Sequence, residues 1–319
     1  MRLRKAIILL STTLSYVKAV SRTSAPAGCL VVGGSGGYTG FNAAFLGLGS
    51  GSASSSACIF VNPGTYAEQI TVSYKGNLTL YGYTTDTGSY KNNQVVLTHT
   101  LGSYDAGSLD ASATANFKSN NVKVYNINFV NGYTGGQAVA VVATGTRQGF
   151  YGCGFKSYQD TLYAKSGTQY YSNCNVIGAV DYIFGAASAW FGECSIQFAG
   201  GGYITASSRG EVDSPVWYAF DHCTISAVSG VTMTNNGYLG RPWRQYARVI
   251  FQYCSLPSFI NPAGWTTLYA GATPLFYEYQ NTGAGSGTSQ RLYESSISAA
   301  VSKTTVLGSD WGSWIDRTY

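Results

Sequence analysis

Charge is scarce in this chain of 319 residues: Asp, Glu, Lys and Arg together make up 10% of it, and histidine occurs only at His99 and His222. Two histidines and no CxxC pair argue against a bound metal, because the usual zinc sets need clustered Cys and His ligands. No stretch is long and apolar enough to span a bilayer, which excludes a helical membrane protein. Amphipathic helical windows are almost absent as well. A doubly wound fold, with a helix after every strand, is therefore out.

The first segment is read as a processing signal. Arg2, Arg4 and Lys5 begin it, an apolar run follows around Ala6–Leu10, and Val17-Lys18-Ala19 offers small residues for cleavage. The expected division is thus 1–19 as secretory signal and 20–319 as one domain. Removing the four bases of the signal takes the formal charge from +5 to +1, leaving 15 basic against 14 acidic residues. The basic surplus lay in the signal, so a nucleic-acid partner is not supported. Gly, Ser, Thr, Asn and Tyr fill the space that charge leaves, a palette for turns, strands and carbohydrate contact. Asn77-Leu78-Thr79 is a glycosylation sequon and fits a secreted, extracellular glycoprotein.

Short β-rich runs recur from Ala57–Val61 onward, separated by Gly, Asn, Ser and Thr. Within them one phrase returns: an aromatic, then Cys three residues on, then an apolar residue two beyond. It occurs as Phe150–Cys153–Phe155, Tyr171–Cys174–Val176, Phe191–Cys194–Ile196, Phe220–Cys223–Ile225 and Phe251–Cys254–Leu256. The spacings of 21, 20, 29 and 31 residues mark stacked coils, none able to bury its own apolar face. A sandwich would also give short strands. The repeated phrase points instead to an all-β, single-domain, right-handed parallel β-helix. A short helix near Gly40–Leu48 would cap its open end. The tail from Leu275, with a helix-like Ser295–Ser302, would pack along the outside. Of the seven cysteines most are expected to form an interior ladder of small apolar side chains, and the odd number leaves at least one free thiol.

Asp160 and Asp181 each follow a phrase cysteine by seven residues. If Cys153 stacks on Cys174, the aspartates stack too, at about the ~4.8 Å separation of neighbouring strands. Two carboxylates that close do not both ionise comfortably, so one should keep its proton. A lone aspartate in a turn is ordinarily a cap or Asx-turn; two in register in a charge-poor chain suggest chemistry. Gln159 adjoins Asp160, and Gln137 lies one coil earlier on the same face. Paired amide donors beside carboxylates suit a tetrahedral oxyanion, although each glutamine alone could be an interior rung. Leu239-Gly240-Arg241-Pro242-Trp243 adds a guanidinium able to hold a carboxylate ionised and an indole suited to a sugar face.

Together these phrases resemble the pectin methylesterase family. The resemblance is carried by Gly64-Thr65-Tyr66-Ala67-Glu68, Gln137-Ala138-Val139, Gln159-Asp160-Thr161-Leu162, Asp181-Tyr182-Ile183-Phe184-Gly185 and Leu239-Gly240-Arg241-Pro242-Trp243, in that order over about residues 28–270. Val32 to Tyr38 is similar to the family's opening strand and turn, and Tyr182 stands where Phe is also common. The absence of a long N-terminal inhibitor-like region points to a microbial, fungal member. The resemblance implies Asp181 as nucleophile on the C6 methyl ester of a galacturonate, and Asp160 as acid and then base. Gln137 and Gln159 would form the oxyanion hole, Arg241 would keep Asp181 anionic, and Gln137, Tyr163, Arg241 and Trp243 would line the sugar site. The implied partner is methyl-esterified homogalacturonan, acted on by a monomer without cofactor, metal, membrane or nucleic acid. Glu68 is expected to have a turn or stacking role rather than chemistry, and both histidines a structural one.

Three rivals are weaker. Gly33-Gly34-Ser35-Gly36-Gly37 fits the G-x-S-x-G pattern, but it lacks the strand-turn-helix context and a ready histidine. Two close carboxylates would suit a retaining glycosidase, which has no need of paired glutamines; a calcium-dependent lyase would need a denser acidic cluster. A purely binding solenoid gives no reason for two aspartates in register beside an arginine.

Overall fold

The computed structural model describes residues 20–319, so the expected signal segment lies outside the described residues. Within them, 24 strands form three parallel sheets of ten, seven and seven strands. The chain visits the sheets in rotation. Gln148–Tyr151, Gly154–Lys156 and Leu162–Ala164 make one coil; Thr168–Ser172, Asn175–Gly178 and Ile183–Gly185 make the next. Each strand pairs in parallel with its counterpart one coil away, Phe150 with Tyr171 and Phe155 with Val176. This is the expected parallel β-helix.

The repeated phrase is the wall of the core. Phe150 and Tyr171 stack with centroids 5.0 Å apart, and the column continues through Phe191, Phe220 and Phe251 at 4.5, 4.6 and 4.4 Å. Face-to-face offset rings at this separation gain stacking energy beyond the area they bury. Beside them run Cys153, Cys174, Cys194, Cys223 and Cys254, all buried and all free. The Cys174 thiol donates to the Phe150 carbonyl at 3.3 Å and the Cys254 thiol to that of Phe220 at 3.4 Å, one coil back in each case. Burial pushes the Cys174, Cys194, Cys223 and Cys254 thiols well above their ordinary range, so they stay protonated donors. The interior ladder therefore takes five of the seven cysteines. The other two, Cys29 and Cys58, form a disulfide across the first two strands of the ten-stranded sheet.

A backbone device sets the phrase. The residue before each of these cysteines, at the corner between the first and second sheets, has positive φ: Gly152 (58°), Asn173 (51°), Glu193 (53°), His222 (54°) and Tyr253 (55°). One left-handed residue turns the chain sharply and aims the following cysteine inward.

The helix Phe41–Leu48 covers the N-terminal end and buries Phe41 and Ala44. Its cap comes from across the chain: Glu68 Oε1 and Oε2 accept the Phe41 and Asn42 amides at 2.8 and 2.9 Å. A carboxylate here satisfies orphan donors and meets the positive end of the helix dipole. Gly40 makes room, since a Cβ there would sit 1.9 Å from Glu68 Oε1. Glu68 thus holds the end cap.

The tail packs outside the first sheet, where Val306, Leu307, Trp314 and Ile315 bury a column of Tyr125, Tyr151, Tyr170 and Trp190. Its helix is Lys303–Leu307, not Ser295–Ser302. Its N-cap is the Ser302 hydroxyl, which accepts the Thr305 amide at 3.1 Å, whereas Ile297 and Val301 lie in irregular chain before it and pack onto the same aromatic column. Two further short helices, Ser103–Ala106 and Leu109–Ser112, were not expected.

Candidate active site

The site lies where the second sheet turns into the third. Parallel bridges pair Gln137 with Gln159 and Gln159 with Val180, so Asp160 and Asp181 follow at matching positions on adjacent coils. Both have positive φ, 67° for Asp160 and 50° for Asp181, a conformation that aspartate tolerates better than most residues. The turn geometry and the paired carboxylates are therefore one feature. Asp160 is 3% exposed and Asp181 9%.

Their partners differ. Arg241, at the end of the third-sheet strand Gly237–Pro242, donates from Nε to Asp181 Oδ1 and from Nη2 to Oδ2, both at 2.8 Å. Its guanidinium lies 4.0 Å over the Tyr203 ring, a contact that sequence reasoning missed because Tyr203 belongs to none of the motifs. Asp160 Oδ2 accepts from Gln137 Nε2 at 2.7 Å and has no ion pair among the described residues. Burial, and next the charge of Asp181, push Asp160 up from 3.8 to about 7, against the opposing pull of the Gln137 hydrogen bond and Arg241. The arrangement separates one carboxylate fixed by a cation from a neighbour that readily keeps its proton. Gln159 is partly buried, and no hydrogen bond among the described residues holds its side-chain amide. The amide of Gln137 keeps a second N–H beyond the one given to Asp160.

Beside the dyad the outward side of the third sheet is apolar. Val142, Tyr163, Phe184, Ala206 and Arg241 occupy one register across it. Tyr163 stacks on Phe184 at 4.3 Å, and Trp243 closes over both, 5.8 Å from Phe184 and 6.2 Å from Tyr163. Lys165 Nζ stands 5.3 Å from the Tyr163 ring centre and pairs with both oxygens of Asp110 at 2.8 Å, bracing that edge. All seven candidates, Gln137, Gln159, Asp160, Tyr163, Asp181, Arg241 and Trp243, come together around one corner. Phe184 had been quoted in a motif but given no role. Ser35 lies in a turn near the N-terminal end, away from this corner.

A family model described as Pectinesterase matches residues 29–316. The chain belongs to the pectinesterase family. Pectinesterase A of Emericella nidulans is 62% identical over 305 residues, 95% of this chain and 93% of its own. An Aspergillus aculeatus pectinesterase is 41% identical, over 94% of this chain and 95% of its own. The crystal structure of the Aspergillus niger pectin methylesterase, which carries an N-acetylglucosamine stub on an asparagine, superposes with a TM-score of 0.92. It is 62% identical and covers 94% of this chain and 100% of that one. The carrot pectin methylesterase follows at a TM-score of 0.72 and 27% identity, covering 83% of this chain and 87% of its own. As a pectinesterase-family enzyme the chain has its acid pair, its arginine and its aromatic wall on one side of the solenoid.

Proposed function

We propose that this protein is a secreted pectin methylesterase that hydrolyses the C6 methyl esters of polygalacturonate, releasing methanol and leaving pectate. The observation that carries the reading is the two-point Arg241–Asp181 pair beside a buried Asp160, whose carboxyl burial pushes up to about 7. Asp181, kept anionic by Arg241, attacks the ester carbonyl carbon. The carbonyl electron pair moves onto oxygen, and the side-chain amides of Gln137 and Gln159 donate to that oxyanion. Collapse breaks the bond to the methoxy oxygen, which takes the Asp160 proton and leaves as methanol. An acyl-aspartate remains. Asp160, now a carboxylate, accepts a proton from water as the water adds to the acyl carbon, and release of Asp181 restores the starting state.

The wall of Tyr163, Phe184 and Trp243 suits a pyranose ring, and a nearly neutral surface suits an esterified, largely uncharged polymer. The family's substrate, the basic-then-apolar start of the chain and the sequon at Asn77 support secretion and glycosylation, and residues 20–319 act as one monomeric catalytic domain. The test is methanol release from highly methylated pectin by wild type and by Asp181→Ala. Methanol from wild type alone, without new reducing ends, is expected. Methanol from both would remove Asp181 from its role, and new reducing ends or unsaturated products would replace the esterase reading with chain cleavage.

A further inference from the structure

Two arginines near the site, Arg209 and Arg248, are withdrawn from the surface yet have no carboxylate within ion-pair distance among the described residues. Arg209 is 2% exposed, although residues 210–213 beside it are exposed. A guanidinium taken from water without a counter-charge is costly, and it persists only where its donors are matched. Arg209 spends its donors on main-chain carbonyls: Nε on Ser214 at 2.8 Å, Nη1 on Tyr246 at 2.8 Å and Nη2 on Val212. Arg248 donates from Nε to Val216 at 2.9 Å and from Nη2 to Ser214 at 2.7 Å. The two side chains thus share the segment 208–217, but only Arg209 also reaches the loop 243–247.

That loop carries Trp243. It leaves the third sheet at Pro242 and returns into the first at Arg248. Its other ties to this side are main-chain bonds at the base: Trp243 N and Arg244 N to Ser207 O, at the end of the neighbouring strand, at 3.1 and 3.3 Å, and Tyr246 N to Arg209 O at 3.1 Å. Tyr246 is therefore gripped from both sides by one residue, its N–H by the Arg209 carbonyl and its C=O by the Arg209 guanidinium.

We propose that Arg209 is a positioning residue for the ester-hydrolysing site: by clamping the Tyr246 carbonyl it holds the loop that sets Trp243 against Phe184 and Tyr163. The proposal rests on the assignment of Trp243 to the sugar wall. Only a planar fork can serve three carbonyls that converge from two loops, so lysine is not an equivalent. Arg248 is the built-in control, since its side chain braces 214–216 without a hydrogen bond to the Trp243 loop.

The experiment measures kcat and KM for methylated pectin in Arg209→Lys, Arg248→Lys, Trp243→Ala and the Arg209→Lys/Trp243→Ala pair, with near-ultraviolet circular dichroism and thermal midpoints confirming the fold. Arg209→Lys is expected to raise KM about fivefold with kcat within about twofold. Arg248→Lys should move KM less than about twofold even where it lowers the thermal midpoint, and Arg209→Lys should add nothing once Trp243 is gone. If Arg209→Lys does not fold, Arg209→Gln, which keeps an amide donor, takes its place. An unchanged KM in a folded Arg209 variant, an equal rise in Arg248→Lys, or full additivity with Trp243→Ala would each overturn the proposal. An unchanged KM in Trp243→Ala itself would remove Trp243 from the sugar wall and the Arg209 role with it, while methanol release by the same variant would leave the esterase reading standing.

Discussion

Asp160→Asn should make the protein inactive and, above neutral pH, more stable. The Asp160 carboxyl moves from 3.8 to about 7 on folding, chiefly through burial and then through the charge of Asp181. A raised carboxyl means that the folded state binds more protons than the unfolded state between these two values. Stability must then fall as pH rises through that window, and the whole penalty is present above pH 7. At about 1.4 kcal/mol per tenfold change in proton affinity, the ceiling is about 4 kcal/mol. Asparagine is uncharged at every pH, nearly isosteric and at ease at the φ of 67° that position 160 adopts. It can still accept from Gln137. Allowing for relaxation, a gain of about 2 kcal/mol at pH 8 is expected, or roughly 4 °C in thermal midpoint for a chain of this size. The gain should shrink through pH 6 and become small near pH 4, close to the unfolded value of 3.8 below which wild-type Asp160 is protonated in both states. Matched thermal scans of the two proteins from pH 4 to 8.5 measure it. A difference that stays constant with pH, or an asparagine variant less stable than wild type at pH 8, would refute the electrostatic account of the dyad.

Arg241→Lys replaces a two-point grip with a single ammonium contact, and kcat/KM should fall about 100-fold while the fold persists; activity within about threefold of wild type would count against the role of the pair. The five ladder thiols should be silent to a thiol reagent in the native enzyme and react together on unfolding, with rapid native labelling as the contrary result. Phe191→Ala removes a ring stacked at 4.5 and 4.6 Å on its two neighbours and should cost about 3–5 kcal/mol in denaturant unfolding. A loss under about 1 kcal/mol would show that the column is not a main source of stability. The near-neutral surface favours scattered de-esterification, so partly processed pectin should lack long contiguous demethylated runs, and their presence would argue for a retained chain.

The solenoid was legible because its interior admits few side chains. At each coil a flat ring must meet a flat ring and a small apolar group must follow, and that demand prints as the aromatic–cysteine phrase. The register of Asp160 and Asp181 came with it, since a displacement of 21 residues moves every side chain by one coil. Other features left no such trace. Glu193, His222 and Tyr253 take up left-handed corners that their side chains do not favour, because stacked neighbours impose the turn. The pairing of Cys29 with Cys58 depends on which strands open the first sheet, and no repeat phrase reaches that far. Ser295–Ser302 looks helix-like in sequence but is irregular, with Ile297 and Val301 packed onto the aromatic column of the first sheet. Arg209 stands between two serines and a glycine in an unremarkable stretch, and its three carbonyl partners lie in two loops that meet only in the folded chain.

The corners of the coils are not alike. From the coil of Val122–Tyr125 onward the link between the first and second sheets is a left-handed residue and its neighbour, as at Asn126-Ile127, Gly152-Cys153 and His222-Cys223. The links on either side of the third sheet vary widely, from Ala186-Ala187 to 208–217 and from 199–201 to 228–236. Insertions at the first kind of corner would break the column beneath them; at the other two they lengthen rims and leave the floor untouched. Such a protein can change the depth and outline of its cleft, and so the polymers it accepts, by editing two margins while the acid pair remains where stacking put it.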